Sequence, residues 1–369
     1  MCRIACVSQG KHSRLLLCFV CTVFCLMHLE SNGSCAYRRH LQEEGFLLHQ
    51  LNEFPQGFGV KQVEICSLGK CYESVGQFVL KIPDAIAGYK ITHIASGAFA
   101  YNQNIVAVEI SSNVCQIGRG AFCGCSNIVS VSMADCAFHA MRILGESFKQ
   151  CVKLEELKLP SGLDLIDVRA FAECNSLKEV RLPDSCNRMV EDAFSNCRSL
   201  RSIYIGKVGS HGESRLLSAF PSCPALEEIS INSENPAYAI LDGALYYKNQ
   251  QAIVRCPPKH AGKNFLIKDG VSIVCPFAFE GCQFEEIVLP ESLGGIGRGA
   301  FSGCTNLVSV CFPAGVKVID DIAFESCSKL RFAVMNGGEM PMMGDDVFPK
   351  GTRIIMRSDC SIHCCGDGK

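Results

Sequence analysis

A repeat of about two dozen residues, marked by phenylalanine, constrains the fold of this chain more than any other feature. Successive phenylalanines of the repeat are 22 to 26 residues apart, except for one interval of 59. An apolar residue stands five positions before each of them, except before Phe220, where that position is Arg215. A chain with this period folds as a stack of similar units rather than as separate globular domains. The ten phenylalanines are Phe99, Phe122, Phe148, Phe171, Phe194, Phe220, Phe279, Phe301, Phe324 and Phe348.

A cysteine follows the phenylalanine by three positions in eight of the ten units, and an aliphatic residue follows it by six positions in most of them. The first and last units carry Asn102 and Gly351 in place of the cysteine. The Phe279 unit is one residue shorter, and Phe284 takes the aliphatic position. The unit therefore reads I-x-x-x-A-F-x-x-C-x-x-L-x-x-V-x-L-P. The eight cysteines are Cys125, Cys151, Cys174, Cys197, Cys223, Cys282, Cys304 and Cys327.

The segment L-x-x-V-x-L ends in alternating apolar and polar residues, as Leu154–Leu159 illustrates. This period of two predicts a short strand with one buried face, and a proline often ends it. The isoleucine of I-x-x-x-A-F predicts a second short strand, and A-F-x-x-C predicts a tight helical or 3-10 turn. Because one coil cannot bury its apolar side alone, we expect about ten coils to stack into a solenoid of parallel strands. Such a stack predicts one continuous core and one file of phenylalanines.

The repeat resembles the 23-residue leucine-rich repeat of BspA-like surface proteins. Ile117–Cys125 and Ile296–Cys304 match that repeat almost residue for residue. Phe78–Ile94 resembles the strands that precede the first repeat in that family, and Asn235–Pro258 resembles its hairpin insert. The resemblance covers roughly residues 60–350. It implies a leucine-rich-repeat solenoid, mainly β or α/β, that acts in adhesion and in binding host or matrix proteins, without catalysis.

The repeat also divides the chain into segments. The long interval between Phe220 and Phe279 leaves room for an insert between two blocks of coils. We predict a leader over 1–36, a linker over 37–59, an N-terminal β cap over 60–95, a first block of repeats over 91–231, a hairpin insert over 232–270, a second block over 271–355 and a cysteine-containing tail over 356–369.

The leader has the pattern of an export signal. Basic residues precede an uncharged run of 13 residues, Leu15–Met27, and Ser34–Ala36 satisfies the small-x-small cleavage rule. The run is too short to span a bilayer, which takes about 20 residues. We therefore expect cleavage near Ala36 and a secreted or cell-surface mature chain with no membrane span. Three alternatives stay open: a retained anchor, a lipid on Cys35, and an intracellular protein that keeps its leader.

The eight cysteines of the repeat, here called the thiol ladder, are predicted to be buried, reduced and weakly hydrogen-bonded to backbone carbonyls. In stacked coils their side chains point alongside each other, so disulfides between neighbours are not expected. Ligands spaced along a line do not enclose a metal ion, and we predict neither a metal nor a cofactor. Disulfide candidates lie outside the ladder, in Cys66 with Cys71 and among Cys360, Cys364 and Cys365.

Neither composition nor motif indicates an enzyme or a nucleic-acid-binding protein. The 35 basic and 37 acidic residues leave a formal charge of −2, without the basic excess of a nucleic-acid binder. The glycines of Ile117–Gly120 and Gly294–Gly297 recur inside coils and lack the βαβ unit and lysine–serine of a phosphate loop. The nine histidines are scattered, and neither H-E-x-x-H nor G-x-S-x-G is present.

Residues two and four positions after the aliphatic residue are predicted to point outward and form two columns. The columns hold charged residues in the middle of the array and apolar residues toward its C-terminal end. The charged residues are either cross-strand ion pairs or a protein-recognition surface. The apolar residues are either covered by the C-terminal tail or form a second interaction site. The central patch is Glu156, Lys158, Glu179, Arg181, Tyr204 and Glu228; the apolar patch is Val288, Cys311, Phe332 and Val334.

Together these patterns predict a non-enzymatic scaffold that binds a protein ligand, such as a host, matrix or surface protein, through the outward strand face. One alternative is a structural surface-layer component without a specific ligand. The other is an intracellular interaction scaffold, because thiol richness suits a reducing compartment. No oligomeric state is predicted.

Overall fold

The computed structural model describes residues 76–357, apart from gaps at 87–88, 137–140 and 209–219, and adds the backbone of four strands nearer the N-terminus. The described residues form a solenoid of about eleven coils, in which short strands of successive coils pair in parallel. The predicted solenoid of stacked strands is therefore confirmed. The insert contributes one more coil than the ten phenylalanines indicate.

Each coil has a front strand, formed by L-x-x-V-x-L. Val131 pairs with Val108 on one side and with Leu157 on the other, so the same apolar position recurs inward from coil to coil. The front strands are β5 (Phe78–Ile82), β8 (Ile105–Ile110), β10 (Ser130–Met133), β12 (Glu156–Lys158), β14 (Glu179–Leu182), β16 (Ser202–Ile205), β17 (Glu228–Ile231), β21 (Asn264–Leu266), β23 (Glu286–Val288), β25 (Ser309–Phe312), β27 (Phe332–Asn336) and β29 (Arg353–Arg357).

A back strand on the opposite side of each coil carries the isoleucine of I-x-x-x-A-F. Ile117 pairs in register with Ile94 and with Ile143, and all three are fully buried. The back strands are β7 (Tyr89–Ile94), β9 (Gln116–Ile117), β11 (Met141–Ile143), β13 (Leu163–Ile166), β15 (Arg188–Met189), β20 (Ala252–Arg255), β22 (Ile273–Val274), β24 (Gly295–Ile296), β26 (Val318–Ile319) and β28 (Met342–Met343).

The remaining strands pair with the back strands and extend the sheets that these form. Strand β4 (Gln62–Leu68) pairs in parallel with β7, and β1 (Phe24–Cys25), β2 (His40–Glu43) and β3 (Phe46–Gln50) add to it antiparallel, while β6 (Ala85–Ile86) pairs with β7. The insert begins with a hairpin of β18 (Tyr238–Leu241) and β19 (Ala244–Tyr247). Asp242 and Gly243 join them with φ of 48° and 75°, as a type I′ turn requires.

The phenylalanine rings of successive coils stack on each other in the interior, between the front strands and the back strands. Ring centroids are 4.9 Å apart for Phe122 and Phe148 and 5.2 Å apart for Phe148 and Phe171, with nearly parallel planes. These rings are fully buried. Burying a side chain of this size contributes about 1.5–3 kcal/mol, so the repeating ring is a main source of stability in each coil.

The insert divides both the file and the core, which corrects the prediction that each is continuous. The rings from Phe99 to Phe220 form one stack, and those from Phe279 to Phe348 form another. Between the stacks, Cys256 takes the phenylalanine position, where its amide donates to the carbonyl of Ala278 at 2.7 Å. The stack ends here because the insert coil has no aromatic ring at that position. The buried residues accordingly form two hydrophobic clusters.

The A-F-x-x-C segment is a hydrogen-bonded turn rather than the predicted helical or 3-10 turn, and the described residues contain no helix. In most coils the residues two before and two after the phenylalanine have left-handed backbone, as Gly120 and Gly124 do at φ of 62° and 71°. A helix needs consecutive right-handed residues, so this alternation excludes it. Every second amide therefore points to the next coil: Gly120, Phe122 and Gly124 donate to carbonyls there at 2.7–3.0 Å.

Several sequence predictions lie outside the described residues. They include the leader and linker, apart from the backbone of β1 to β3, and the tail beyond residue 357. The disulfide candidates Cys71, Cys360, Cys364 and Cys365 and the side chain of Cys66 are among them. In the part of the chain that is described, we find no helix with the length and apolar character needed to cross a bilayer.

Candidate protein-interaction face

The front strands present the two outward columns that their period of two requires. In β14, Glu179 and Arg181 are exposed, whereas Val180 and Leu182 are buried. The strands are parallel and in register, so equivalent residues of successive coils stand side by side. The outward columns therefore form one surface, here called the front face.

The structure brings the six residues of the central patch onto neighbouring strands. In one column Glu179 lies beside Ser202, and Ser202 lies beside Glu228. In the other column Arg181 lies beside Tyr204. Glu156 and Lys158 continue the two columns on β12, next to β14. All six side chains are exposed or half-buried.

Arg181 and Tyr204 are in direct contact within the central patch. The Arg181 guanidinium carbon lies 4.5 Å from the centroid of the Tyr204 ring, and Arg181 Nη1 lies 3.2 Å from Glu179 Oε1. The exposed ion pair contributes little to stability, and the cation–π contact contributes about 0.5–1 kcal/mol. Their main effect is to hold the exposed Arg181 and the half-buried Tyr204 in one arrangement on the front face.

Three central-patch charges, Glu156, Lys158 and Glu228, form no ion pair with any described residue. A cross-coil ion pair occurs instead in an adjoining column, where Lys178 Nζ lies 2.7 Å from Glu155 Oε2. Sequence reasoning missed this third column, one position after the aliphatic residue, because it precedes the alternating segment. The exposure of Glu155, Lys178, Arg201 and Glu227 shows that the front face is wider than two columns.

The apolar patch differs from its prediction at one residue. Val334 is only 5% exposed, although its position in β27 points outward, whereas Phe332 is 39% exposed. Val334 lies between Cys311 and Ile355 in register, so both its sides are covered by neighbouring side chains. Val288 and Cys311 are half-buried.

Two further apolar residues extend this patch, and both were missed. Leu266 lies beside Val288 and is 65% exposed, and Ile355 lies beside Val334 and is 37% exposed. Their coils lack the phenylalanine–cysteine marker that aligned the other units. The sequence around Leu266 gave no alternation to find it by, because Phe265, Leu266 and Ile267 are three consecutive apolar residues, and only the structure shows that Leu266 points outward.

The ladder cysteines are all buried, and each thiol lies near a backbone carbonyl of the preceding coil. Cys125 Sγ is 3.0 Å from Phe99 O, and Cys174 Sγ is 3.3 Å from Phe148 O. The same contact recurs at 3.1–3.4 Å in Cys151, Cys197, Cys223, Cys304 and Cys327 and lengthens to 3.7 Å in Cys282, which follows the insert coil. The ladder thiols are free, with no disulfide between neighbouring coils.

Burial lowers the acidity of five of the ladder thiols. It raises the pKa of Cys125 and of Cys223 to about 12, and it raises the pKa of Cys151, Cys174 and Cys197 well above the ordinary value. The physical cause is desolvation, because a thiolate loses its hydration in an apolar core. The thiolate is the reactive and metal-binding form, so burial lowers the reactivity of these five cysteines in the folded chain.

The described residues contain no cluster of three His, Cys, Asp or Glu side chains arranged to hold a metal ion. Two clefts on the turn side of the coils are lined mainly by polar residues, and neither contains a histidine. The one cysteine that lines them, Cys223, belongs to the thiol ladder.

A family model described as BspA type leucine rich repeat region matches residues 92–214, 141–254 and 259–356, which together make up more than half of the chain. A search of curated protein sequences finds no match.

Among solved structures, the pneumococcal vaccine antigen PcpA is similar to this chain, with a TM-score of 0.69 and 18% identity; the match covers 86% of this chain and 88% of the antigen. A leucine rich cell surface protein from Faecalibacterium prausnitzii has a TM-score of 0.54 and 19% identity, covering 90% of this chain and 97% of that one. At such identities the likeness shows a shared fold.

Proposed function

Because the chain belongs to the family of BspA-type leucine-rich repeat proteins, we propose that it binds another protein through the central patch of its front face. The observation that supports this is the contact between Arg181 and Tyr204, beside three charges that form no ion pair within the described part of the chain. Arginine and tyrosine are enriched among the residues that dominate binding energy at interfaces. An interaction scaffold also fits the family and the fold.

The exposed charges of the central patch support recognition of a partner with complementary charge. Glu156 and Glu228 stand at the two ends of the column that Glu179 shares, and Lys158 lies in the adjacent column. Charges of this kind steer association and exclude wrong partners more than they add affinity. The proposed ligand is therefore a protein surface with both basic and acidic groups.

The test is binding by the full chain with three charges reversed, Glu156→Lys, Arg181→Glu and Glu228→Lys. Each partner captured by the wild-type chain should bind the triple variant at least about tenfold more weakly, because a hot-spot residue and two steering charges are lost. The matched control is Arg142→Glu, Glu291→Lys and Glu325→Lys, which makes the same net charge change at exposed positions off the front face. Unchanged binding of every partner by the triple variant would refute a role for the central patch.

We also propose that the mature chain is exported and works at the cell surface, in adhesion to a host or matrix protein. The leader pattern over Leu15–Met27 supports export, and the similar structures include a vaccine antigen and a cell surface protein. N-terminal sequencing of the chain purified from its source should find a start near Tyr37. An intact Met1 on intracellular material would favour the intracellular scaffold instead.

The same binding assay separates recognition from a purely structural role in a surface layer. Recognition requires saturable binding of a partner by a monodisperse chain. A chain that only self-assembles, and captures no partner, would support the surface-layer alternative.

A further inference from the structure

An apolar stripe runs along the front face of the second block, across five consecutive coils. It consists of Leu266, Val288, Cys311, Val334 and Ile355, which occupy the same outward position in β21, β23, β25, β27 and β29. Phe332, in the adjoining column beside Val334, widens it. In the first block the same position is mostly polar, with Glu109, Ser132, Lys158, Arg181, Tyr204 and Ser230. Leu266 and Ile355 are exposed, and Val288 and Cys311 are half-buried. An accessible apolar surface confined to one half of a face marks an interaction site.

The charges around the apolar stripe are asymmetric. At its C-terminal end Arg353 lies directly opposite Phe332, Arg331 precedes Phe332, and neither guanidinium forms an ion pair with a described residue. At the other end Lys263 is paired with a carboxylate, and Glu286 keeps its negative charge beside a neutral amide. Lys263 Nζ lies 2.9 Å from Glu285 Oε1, and Asn264 donates to Glu286 at 3.1 Å. A ligand of the stripe is therefore complementary if it carries carboxylates at one end.

The distance between successive residues of the stripe indicates which peptide conformation fits it. Successive coils of the second block are about 5 Å apart, as the ring distances of 5.1 Å for Phe279–Phe301 and 4.8 Å for Phe301–Phe324 show. An α-helix presents one side chain per turn of about 5.4 Å on the same face. An extended peptide presents one every second residue, about 6.7 Å apart. The five coils are separated by four intervals. Over these, the side-chain positions of a helix depart from the coil positions by about 2 Å in total, whereas those of an extended peptide depart by about 7 Å. A helix therefore matches the spacing of the coils better.

We propose that the apolar stripe binds an amphipathic α-helix of a partner protein, with its apolar face along the stripe and carboxylates reaching Arg331 and Arg353. The stripe is about 20 Å long, which corresponds to a helix of about 13 residues. Val334 is buried, so the helix contacts its neighbours rather than this side chain. The proposal rests on the proposed function and adds to it the chemistry of a second binding partner or segment.

The experiment is a selection of helix-forming peptides of about 18 residues, displayed on phage with randomised surface positions, against the full chain. Enriched peptides should carry apolar residues at i, i+3 or i+4, and i+7, with Asp or Glu clustered at one end. Synthetic peptides of those sequences should be helical when bound. Enrichment of extended, polar or basic sequences would overturn the proposal.

Two sets of variants place the selected peptides on the stripe. Leu266→Asp with Ile355→Asp should weaken binding at least about tenfold, because both substitutions place a carboxylate against the apolar face. Arg331→Glu with Arg353→Glu should weaken the binding of acidic peptides by a similar factor. The same variant should bind more tightly to peptides in which lysine replaces the carboxylates. The matched control, Val318→Asp with Met342→Asp, changes exposed apolar residues of the back strands and should leave binding within twofold. Equal effects of the control and the stripe variants would refute the assignment.

The remaining outcomes identify other occupants. If peptides bind only after residues 358–369 are removed, the tail of the chain occupies the stripe and the proposal is wrong. If the full chain is a dimer that Leu266→Asp with Ile355→Asp dissociates, a second copy is the occupant and the proposal is equally wrong. A natural partner that depends on the central patch but not on the stripe would leave the proposed function intact while removing this inference.

Discussion

Each cysteine of the thiol ladder combines burial with a hydrogen bond to a carbonyl of the preceding coil. Cys174, for example, is fully buried and lies 3.3 Å from Phe148 O. Burial raises the pKa of Cys174 well above the ordinary value. A buried thiol with a raised pKa holds little thiolate and is screened from oxidants, which disfavours its oxidation to a disulfide. A chain with this ladder is able to keep reduced thiols in an oxidising compartment, which removes the apparent conflict between its cysteine content and the proposed export.

The ladder makes the stability of the chain sensitive to alkaline pH. Burial raises the pKa of Cys151, Cys174 and Cys197 well above 9.0, so above pH 9 the unfolded chain releases protons that the folded chain retains. The stabilisation is fully present below pH 9 and is lost as pH rises toward the folded-state pKa. The free energy of unfolding, measured with urea between pH 9 and 11, should fall by up to about 1.4 kcal/mol per pH unit for each thiol.

Serine variants test this slope, since serine can still donate to the carbonyl but does not ionise in this range. Cys174→Ser should make the pH dependence shallower, and a triple variant of Cys151, Cys174 and Cys197 should make it shallower still. Identical slopes for the wild-type chain, the single variant and the triple variant would show that the ladder does not control alkaline stability.

At the scale of the element, the A-F-x-x-C turn determines how coils join. Its alternating left-handed residues direct every second amide to the next coil, which a helix cannot do. In several coils these positions are glycine, which adopts positive φ without strain. In others they are not: Ser326 and Asn196 have φ of 59° each. The turn is therefore kept by bonds between coils, even where the local residue disfavours it.

Gly303→Ala measures the cost of that conformation. Gly303 has φ of 72°, and a Cβ there would meet nothing closer than 3.6 Å, so the change adds backbone strain without a clash. We expect the free energy of unfolding, measured with urea, to fall by about 1 kcal/mol. Ser302→Ala, at the neighbouring position without positive φ, is the control and should change it by less than about 0.5 kcal/mol. Equal losses in the two variants would argue against a conformational cause.

At the scale of the whole molecule, the two blocks of coils are joined by a buried ionic seam where the phenylalanine file is interrupted. Arg255 Nη1 lies 3.3 Å from Glu280 Oε2, and both side chains are largely buried. Glu280 also accepts hydrogen bonds from Ser222 N at 2.7 Å and Ser222 Oγ at 3.0 Å. One carboxylate thus connects the last coil of the first block, the insert coil and the first coil of the second block.

Glu280→Ala should therefore weaken the connection between the blocks. The substitution leaves the Arg255 charge buried without its carboxylate partner. We therefore expect the free energy of unfolding to fall by about 3 kcal/mol. Unfolding should also become less cooperative, because coils of a solenoid interact only with their neighbours. Hydrogen exchange during urea unfolding should show the second block opening separately from the first. The control is Glu155→Ala, which breaks an exposed ion pair with Lys178 and should lower the free energy of unfolding by less than about 0.5 kcal/mol. Equal losses in the Glu280 and Glu155 variants would contradict a special role for the seam.

The repeat by itself determined the coil: its two strands, its buried ring, its thiol position and the parallel stacking of one unit on the next. These properties are set by apolar periodicity within about two dozen residues, and the same pattern appears ten times. The positions that point outward could be predicted for the same reason. The central patch was found this way, because its residues lie on coils with the complete phenylalanine–cysteine marker.

Only the tertiary structure decided how coils interact. The backbone of the turn, the break in the phenylalanine file, the burial of Val334 and the pairing of charges on the front face all depend on residues of adjacent coils. Leu266 and Ile355 joined the apolar stripe only when strand register placed them beside Val288 and Val334. The physical reason is that apolar burial is encoded residue by residue along the chain, whereas hydrogen bonds and ion pairs between coils depend on which neighbours the stacking brings within a few ångströms.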